Sequence, residues 1–291
     1  MIWKRTGKTI DAIGEKGYYL SPRLSPDGKN MVLLQVDPET LASDIWTYDI
    51  VRKNMSRFTF NPGQHYAPYW SPDGTSVFFS TSRVTDYVMY QKSLTGAEKI
   101  IVTDTDWIRP TDCSSDGKFL VYIKTSVTDH DVWMLPLEGN KKAFPYLRTP
   151  FQEWDAQFSP DNKWIAYTSN ESGKREVYVQ SFPSGNGKWQ ISTTGGLYPR
   201  WRRDGKELFY STLDGKLTAV SVQITPTFTV GSAISLFSIT NAATYAESDD
   251  ITLYDVSPDG QHFLLNAPAE TAKPSYIILA LNWADQLQKN P

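Results

Sequence analysis

One turn is written six times along this chain, and its spacing constrains the fold more than any other feature. It reads "LSPDGK" at Ser25, "WSPDGT" at Ser71, "CSSDGK" at Ser114, "FSPDNK" at Ser159, "WRRDGK" at Arg202 and "VSPDGQ" at Ser257. Its aspartates, Asp27, Asp73, Asp116, Asp161, Asp204 and Asp259, follow one another at 46, 43, 45, 43 and 55 residues. A repeat of this length built from short apolar strands is the period of a β-propeller, in which each repeat is one four-stranded blade.

Each unit has the same internal order. A short strand precedes the turn, and an aromatic or β-branched strand such as "VFFSTS" or "WIAYTS" follows it. A third strand comes next ("DIWTYDI", "DVWMLPL", "EVYVQSF"), then a fourth such as "KIIVTD". In the turn, proline presets φ, aspartate bonds the local backbone and glycine takes the left-handed conformation; Asn162 stands in for that glycine in the fourth unit. Ser71 and Asp73, which could pass for a nucleophile and a metal ligand, are thereby read as hairpin residues. The prediction is an all-β, six-bladed propeller of four-stranded antiparallel blades, a single domain over residues 1–291. The N-terminal "IWKRTGKTIDAI" has the pattern of a third and fourth strand with no first or second before it. The last unit offers "TLYDVS", "HFLLNA" and "SYIILALNW" with nothing after. Residues 1–14 are therefore expected to complete the last blade, which hides strand edges by joining the chain ends. The count leaves one strand in excess, so the last blade's pairing stays open. The long fifth unit is expected to carry an outer strand and then a polar loop at residues 241–250.

Bulk properties narrow the partners. A net charge of −3 with no basic run gives no footprint for a phosphate backbone, so nucleic acid is not expected. The longest apolar run, "YIILALNWA", is too short to span a bilayer, and no membrane contact by this chain is expected. Cys113, the single cysteine, excludes an internal disulfide and reads as a small core residue.

Aligning the units on the turn aspartate gives two columns. Four residues earlier stand Arg23, Tyr69, Asp112, Gln157, Arg200 and Asp255; the next position holds Leu24, Trp70, Cys113, Phe158, Trp201 and Val256. Strand alternation sends the apolar column into blade packing and the polar column toward the central channel. There the polar groups either satisfy one another between blades or bind a ligand. The loops leading into the first strands, on the opposite face from the turns, supply Tyr18, Tyr19, His65, Tyr66, Asp106, Trp107, Glu153, Trp154, Asp155 and Tyr198; the loops between second and third strands add Asp44, His130 and Asp131. Aromatics beside carboxylates suit recognition of a protein, a peptide or a small polar ligand, and this rim is the stronger candidate site. Asp44, Asp131 and Glu176 open third strands in several units, and that repetition favours a structural role. No cofactor is required. A divalent cation, zinc or calcium, is the one that the channel mouth could hold, on His65, Glu153, Asp155, Asp249 and Asp250, although no close histidine pairing marks a metal motif.

The repeated Ser-Pro-Asp-Gly turn followed by an Asp-Ile-Trp or Asp-Val-Trp strand resembles the TolB-like propeller family over essentially the whole chain. More narrowly, "RLSPDGK", "SRFTFNPG", "FSPDNKWIAYTSNESGKREVYVQSFP", "PRWRRDGKELFY" and "LNWADQL" resemble the C-terminal propeller of bacterial receptor Ser/Thr kinases. That resemblance implies a non-catalytic extracytoplasmic sensor or interaction module, with a cytoplasmic fragment as the alternative location. No kinase motif and no Gly-x-Ser-x-Gly elbow occurs in the chain. The competing reading, by fold analogy with metal-dependent lactonase-type propellers, is a metal-assisted hydrolase of esters, lactones or phosphotriesters at the channel mouth.

Overall fold

The computed structural model describes residues 1–11, 17–61, 63–224, 227–239 and 252–265, and among them there is no helix. The chain opens with β1 (Ile2–Lys4) and β2 (Thr9–Asp11). Five consecutive antiparallel sheets follow, each running from the channel outward. They are β3 (Tyr18–Leu24) to β6 (Asn54–Arg57), β7 (Gln64–Trp70) to β10 (Glu98–Asp104) and β11 (Trp107–Cys113) to β14 (Phe144–Leu147). Then come β15 (Glu153–Phe158) to β18 (Lys188–Gln190) and β19 (Leu197–Trp201) to β22 (Thr229–Ser238).

The sixth blade joins both ends of the described chain. Its order is β2–β1–β24–β23, with β23 (Tyr254–Val256) innermost and β24 (His262–Leu265) paired antiparallel to β1 through Trp3 and Phe263. The N-terminal segment thus supplies the third and fourth strands, as its pattern predicts. The polar loop at 241–250 and the segment "SYIILALNW" lie outside the described residues.

The strands are apolar on both faces because each blade is packed on both sides. Val32 and Leu34 of the first blade meet Trp70, Val77 and Phe79 of the second, while Met31 and Leu33 turn the other way to Leu264 and Ile2 of the sixth. Equivalent clusters fill the interfaces between each further pair of neighbours. Alternation along a strand therefore serves two interfaces rather than one core and one wet face.

The turns hold as their chemistry requires. Gly74 sits at φ 70° and Asn162 at φ 58°, the left-handed region that glycine and asparagine tolerate. Ser71 donates to Asp73 at 2.5 Å, and its hydroxyl accepts the Ser76 amide at 2.9 Å, closing the hairpin from inside. The same pair recurs as Ser25–Asp27, Ser114–Asp116, Ser159–Asp161 and Ser257–Asp259.

Candidate functional site: a cavity on the turn face

All six residues of the polar column, Arg23, Tyr69, Asp112, Gln157, Arg200 and Asp255, line one cavity of about 340 Å³. Around its mouth stand the second residues of the six turns: Pro26, Pro72, Ser115, Pro160, Arg203 and Pro258. The cavity therefore opens on the turn face, opposite the rim that the sequence favours. The two units that depart from proline place Ser115 and Arg203 at this mouth. Arg203, exposed, donates to the Pro26 carbonyl at 2.5 Å, reaching from the fifth blade past the sixth to the first.

Inside, the column divides by how its polar atoms are satisfied. Asp255 accepts the Leu24 amide at 2.7 Å, and Asp112 accepts the Phe158 amide at 2.6 Å; each carboxylate fastens its blade to the next. Gln157 donates to the Thr111 carbonyl at 3.1 Å, back to the preceding blade. Two indoles do likewise, Trp70 to the Arg23 carbonyl at 3.1 Å and Trp201 to the Gln157 carbonyl at 3.3 Å. These bonds satisfy buried polarity between blades. The arginines differ. Arg23 donates to Thr252 at 3.1 Å and lies over the Tyr69 ring at 5.2 Å. Arg200 gives its Nη1 to the Pro199 carbonyl at 2.7 Å, and its Nε and Nη2 have no hydrogen-bond partner. The nearest carboxylate oxygen, of Asp255, stands 3.9 Å from that Nε, beyond hydrogen-bond reach.

Electrostatics follow from burial. Loss of solvent pushes the Asp112 carboxyl up to about 6, against hydrogen bonds from Tyr69 and two amides that favour its charged form. Burial, reinforced by the neighbouring Arg200, lowers Arg23 to about 10, so it stays charged at neutral pH. Burial likewise raises the Tyr69 phenol.

Of the residues assigned to the opposite rim, some are buried in the inner strands and others stay partly exposed. His65, Glu153, Trp154, Asp155 and Tyr198 belong to the inner strands β7, β15 and β19, and all are buried. His65 bonds Thr81 at 2.9 Å and the Asn61 carbonyl at 3.2 Å, and burial lowers its pKa. Glu153 accepts from Thr149 at 2.5 Å, its other oxygen lacks a partner, and burial raises it to about 7. Trp154 packs against His130, at 5.2 Å, and Arg175, at 4.1 Å. Asp155 pairs with Arg109 at 3.4 Å within the channel wall. Tyr66, Asp106 and Trp107 remain partly exposed; Tyr66 packs edge-on against Trp107, and Asp106 pairs with Lys124 at 3.2 Å. Among the described residues no three His, Cys, Asp or Glu side chains converge as metal ligands, and Asp249 and Asp250 lie outside the described residues.

The physical reason is a bulge that composition does not announce. Inner strands carry a register shift between Leu20 and Arg23, Tyr66 and Tyr69, Trp154 and Gln157, and Leu197 and Arg200. The residue inside each bulge, Ser21, Ala67, Asp155 or Tyr198, has φ between 47° and 56°. An extra residue there lengthens the inner strand and draws the preceding residues into blade packing. In the third blade the equivalent position is Pro110, whose ring forbids positive φ, and the shift falls instead between Pro110 and Asp112. Two of the third-strand acids, Asp44 and Glu176, are structural, whereas Asp131 faces Arg148 at 3.6 Å and keeps one buried oxygen without a hydrogen bond. Asp44 accepts from Thr59 at 3.1 Å, Glu176 accepts from Ser192, and each hydroxyl in turn takes the next third-strand amide, of Ile45 or Val177.

The TolB beta propeller domain profile matches residues 5–145. A curated relative, an uncharacterised protein of Agrobacterium fabrum, is 28% identical over 159 residues, covering 49% of this chain and 52% of its own length. The chain thus spans about half of that relative. A solved Agrobacterium tumefaciens protein assigned as TolB superposes with TM-score 0.71 at 15% identity, covering 90% of this chain and 94% of its own. TolB of Acinetobacter baumannii superposes with TM-score 0.67 at 16% identity, covering 84% of this chain and 59% of its own. At these identities the superpositions show the fold alone, a six-bladed β-propeller.

Proposed function

We propose that this TolB-like propeller is a non-catalytic recognition module, a ligand-sensing or protein-interaction domain of the kind that the receptor-kinase resemblance implies, and that its ligand enters the turn-face cavity. One observation carries the reading: six side chains separated by up to 232 positions in sequence, from Arg23 to Asp255, converge on one concave, mixed polar and aromatic space. Concave sites with a few convergent polar groups on apolar walls are where small ligands and peptide ends bind. Its charged groups are already tied into blade-to-blade bonds or left as donors, an arrangement for holding rather than for acid–base turnover. The hydrolase alternative draws on no comparable convergence among the described residues. No helix among the described residues is long and apolar enough to cross a membrane, and extracytoplasmic placement is part of the proposal.

Trp70 and Trp201 line the cavity and make it self-reporting. Screening short peptides and polar metabolites by tryptophan fluorescence should find a saturable ligand, and Ser115→Trp, which fills the mouth from an exposed turn position, should abolish its binding with the far-ultraviolet spectrum unchanged. Binding that survives Ser115→Trp but is lost in Tyr66→Ala would move the site to the opposite rim and overturn the proposal.

A further inference from the structure

Three guanidinium groups, those of Arg23, Arg200 and Arg203, line the turn-face cavity against two carboxylates, Asp112 and Asp255. The cavity is thus cationic in a chain of net charge −3. Arg200 is 2% exposed, and its Nε and Nη2, which form one edge of the guanidinium plane, are the donors without hydrogen bonds. Leaving such donors buried and unpaired is unfavourable. Asp255 does not relieve them, because the Leu24 amide holds its other oxygen at 2.7 Å and leaves the nearer one 3.9 Å from Nε.

We infer that the turn-face cavity binds the carboxylate of an organic acid on Arg200, whose closed-off Nε–Nη2 edge turns into the cavity to receive it, with Arg23 beside it and Arg203 closing over it at the mouth. The inference rests on the proposed recognition role of the same cavity and specifies its ligand. A planar carboxylate matches two parallel N–H donors on one guanidinium edge. A phosphate dianion fits less well, since Asp112 and Asp255 repel a second negative charge at close range. The rings of Trp70, Phe158 and Trp201 and the turn prolines offer an apolar wall for the rest of the acid. The carboxylate can come from a free small acid or from the C-terminus of a peptide. In either case Arg203 must release the Pro26 carbonyl to admit it, which makes this side chain a latch on an exposed position.

The test titrates the full chain with hippurate, hippuramide, N-acetyl-Ala-Ala-Phe as the free acid and as its amide, and inorganic phosphate, read by tryptophan fluorescence and calorimetry. Each free acid should bind at least about tenfold more tightly than its amide, the ratio expected for a charge-assisted bidentate pair. Equal affinity for hippurate and the peptide acid identifies a free acid as the ligand class; a preference for the peptide identifies a chain terminus. Arg200→Met should lose the preference for acid over amide. Because that side chain is buried, Arg203→Ala, exposed and outside the packed blades, provides a second readout and should weaken acid binding several-fold. Acid and amide binding alike would overturn the carboxylate assignment while leaving the recognition role standing. No saturable binding of any probe would overturn both, as would phosphate binding more tightly than either acid for the assignment alone.

Discussion

The serine and aspartate of five of the six turns look reactive in the sequence and are spent on backbone geometry in the structure, whereas a plain arginine four residues upstream of an aspartate keeps two free donors. Residue type alone misleads here because chemistry depends on which bonds remain after the hairpin closes. Glu153 makes the same point with a measurable sign. Burial raises its pKa from 4.5 to about 7, so above pH 7 the folded protein carries a buried carboxylate with one unpaired oxygen. That penalty fades as pH falls through 7 toward 4.5, where the carboxyl is neutral in both folded and unfolded states. The stability difference between the wild type and Glu153→Gln, measured by urea unfolding, should therefore shift toward the wild type by roughly 1–2 kcal/mol between pH 8 and pH 5. A pH-independent difference would show that Glu153 is not strained by its ionisation.

At the scale of the element, the inner strands are not the simple alternating segments that their composition suggests. Four bulge residues with positive φ are Ser21, Ala67, Asp155 and Tyr198, none of them glycine, so no residue type advertises the conformation. An L-residue in that region costs about 1–2 kcal/mol, more than glycine's entropic disadvantage of about 0.5–1 kcal/mol. Ala67→Gly should consequently stabilise the protein by about 0.5 kcal/mol, while Ala156→Gly, in a buried strand position outside the set with positive φ, should destabilise it; chemical denaturation of the two variants decides. The turns, the strand order and the polar column are legible from spacing and alternation. The bulge is not, and His65, Glu153, Trp154 and Tyr198, expected at a rim, lie buried at or beside it.

At the scale of the whole molecule, closure depends on eleven residues at the N-terminus. β1 and β2 complete the sixth blade, and Ile2 packs with Leu264 against Met31 and Leu33 of the first. Deleting residues 1–11 should expose the edge of β24 and the flank of the first blade; the expected result is a lower thermal midpoint, loss of a single cooperative transition and association in size-exclusion chromatography. Retention of one sharp transition would mean that closure does not rest on this pairing. The period of the repeat and the turn chemistry determined the six-bladed ring by themselves, and the strand pattern of the N-terminal segment its closure, because each is a local pattern that only one architecture buries consistently. Which face of the ring carries the cavity, and which of its donors remain without hydrogen bonds, only the tertiary structure decided, because both depend on bonds between blades: Leu24 to Asp255, Phe158 to Asp112, and the 3.9 Å that keeps Asp255 beyond hydrogen-bond reach of Arg200.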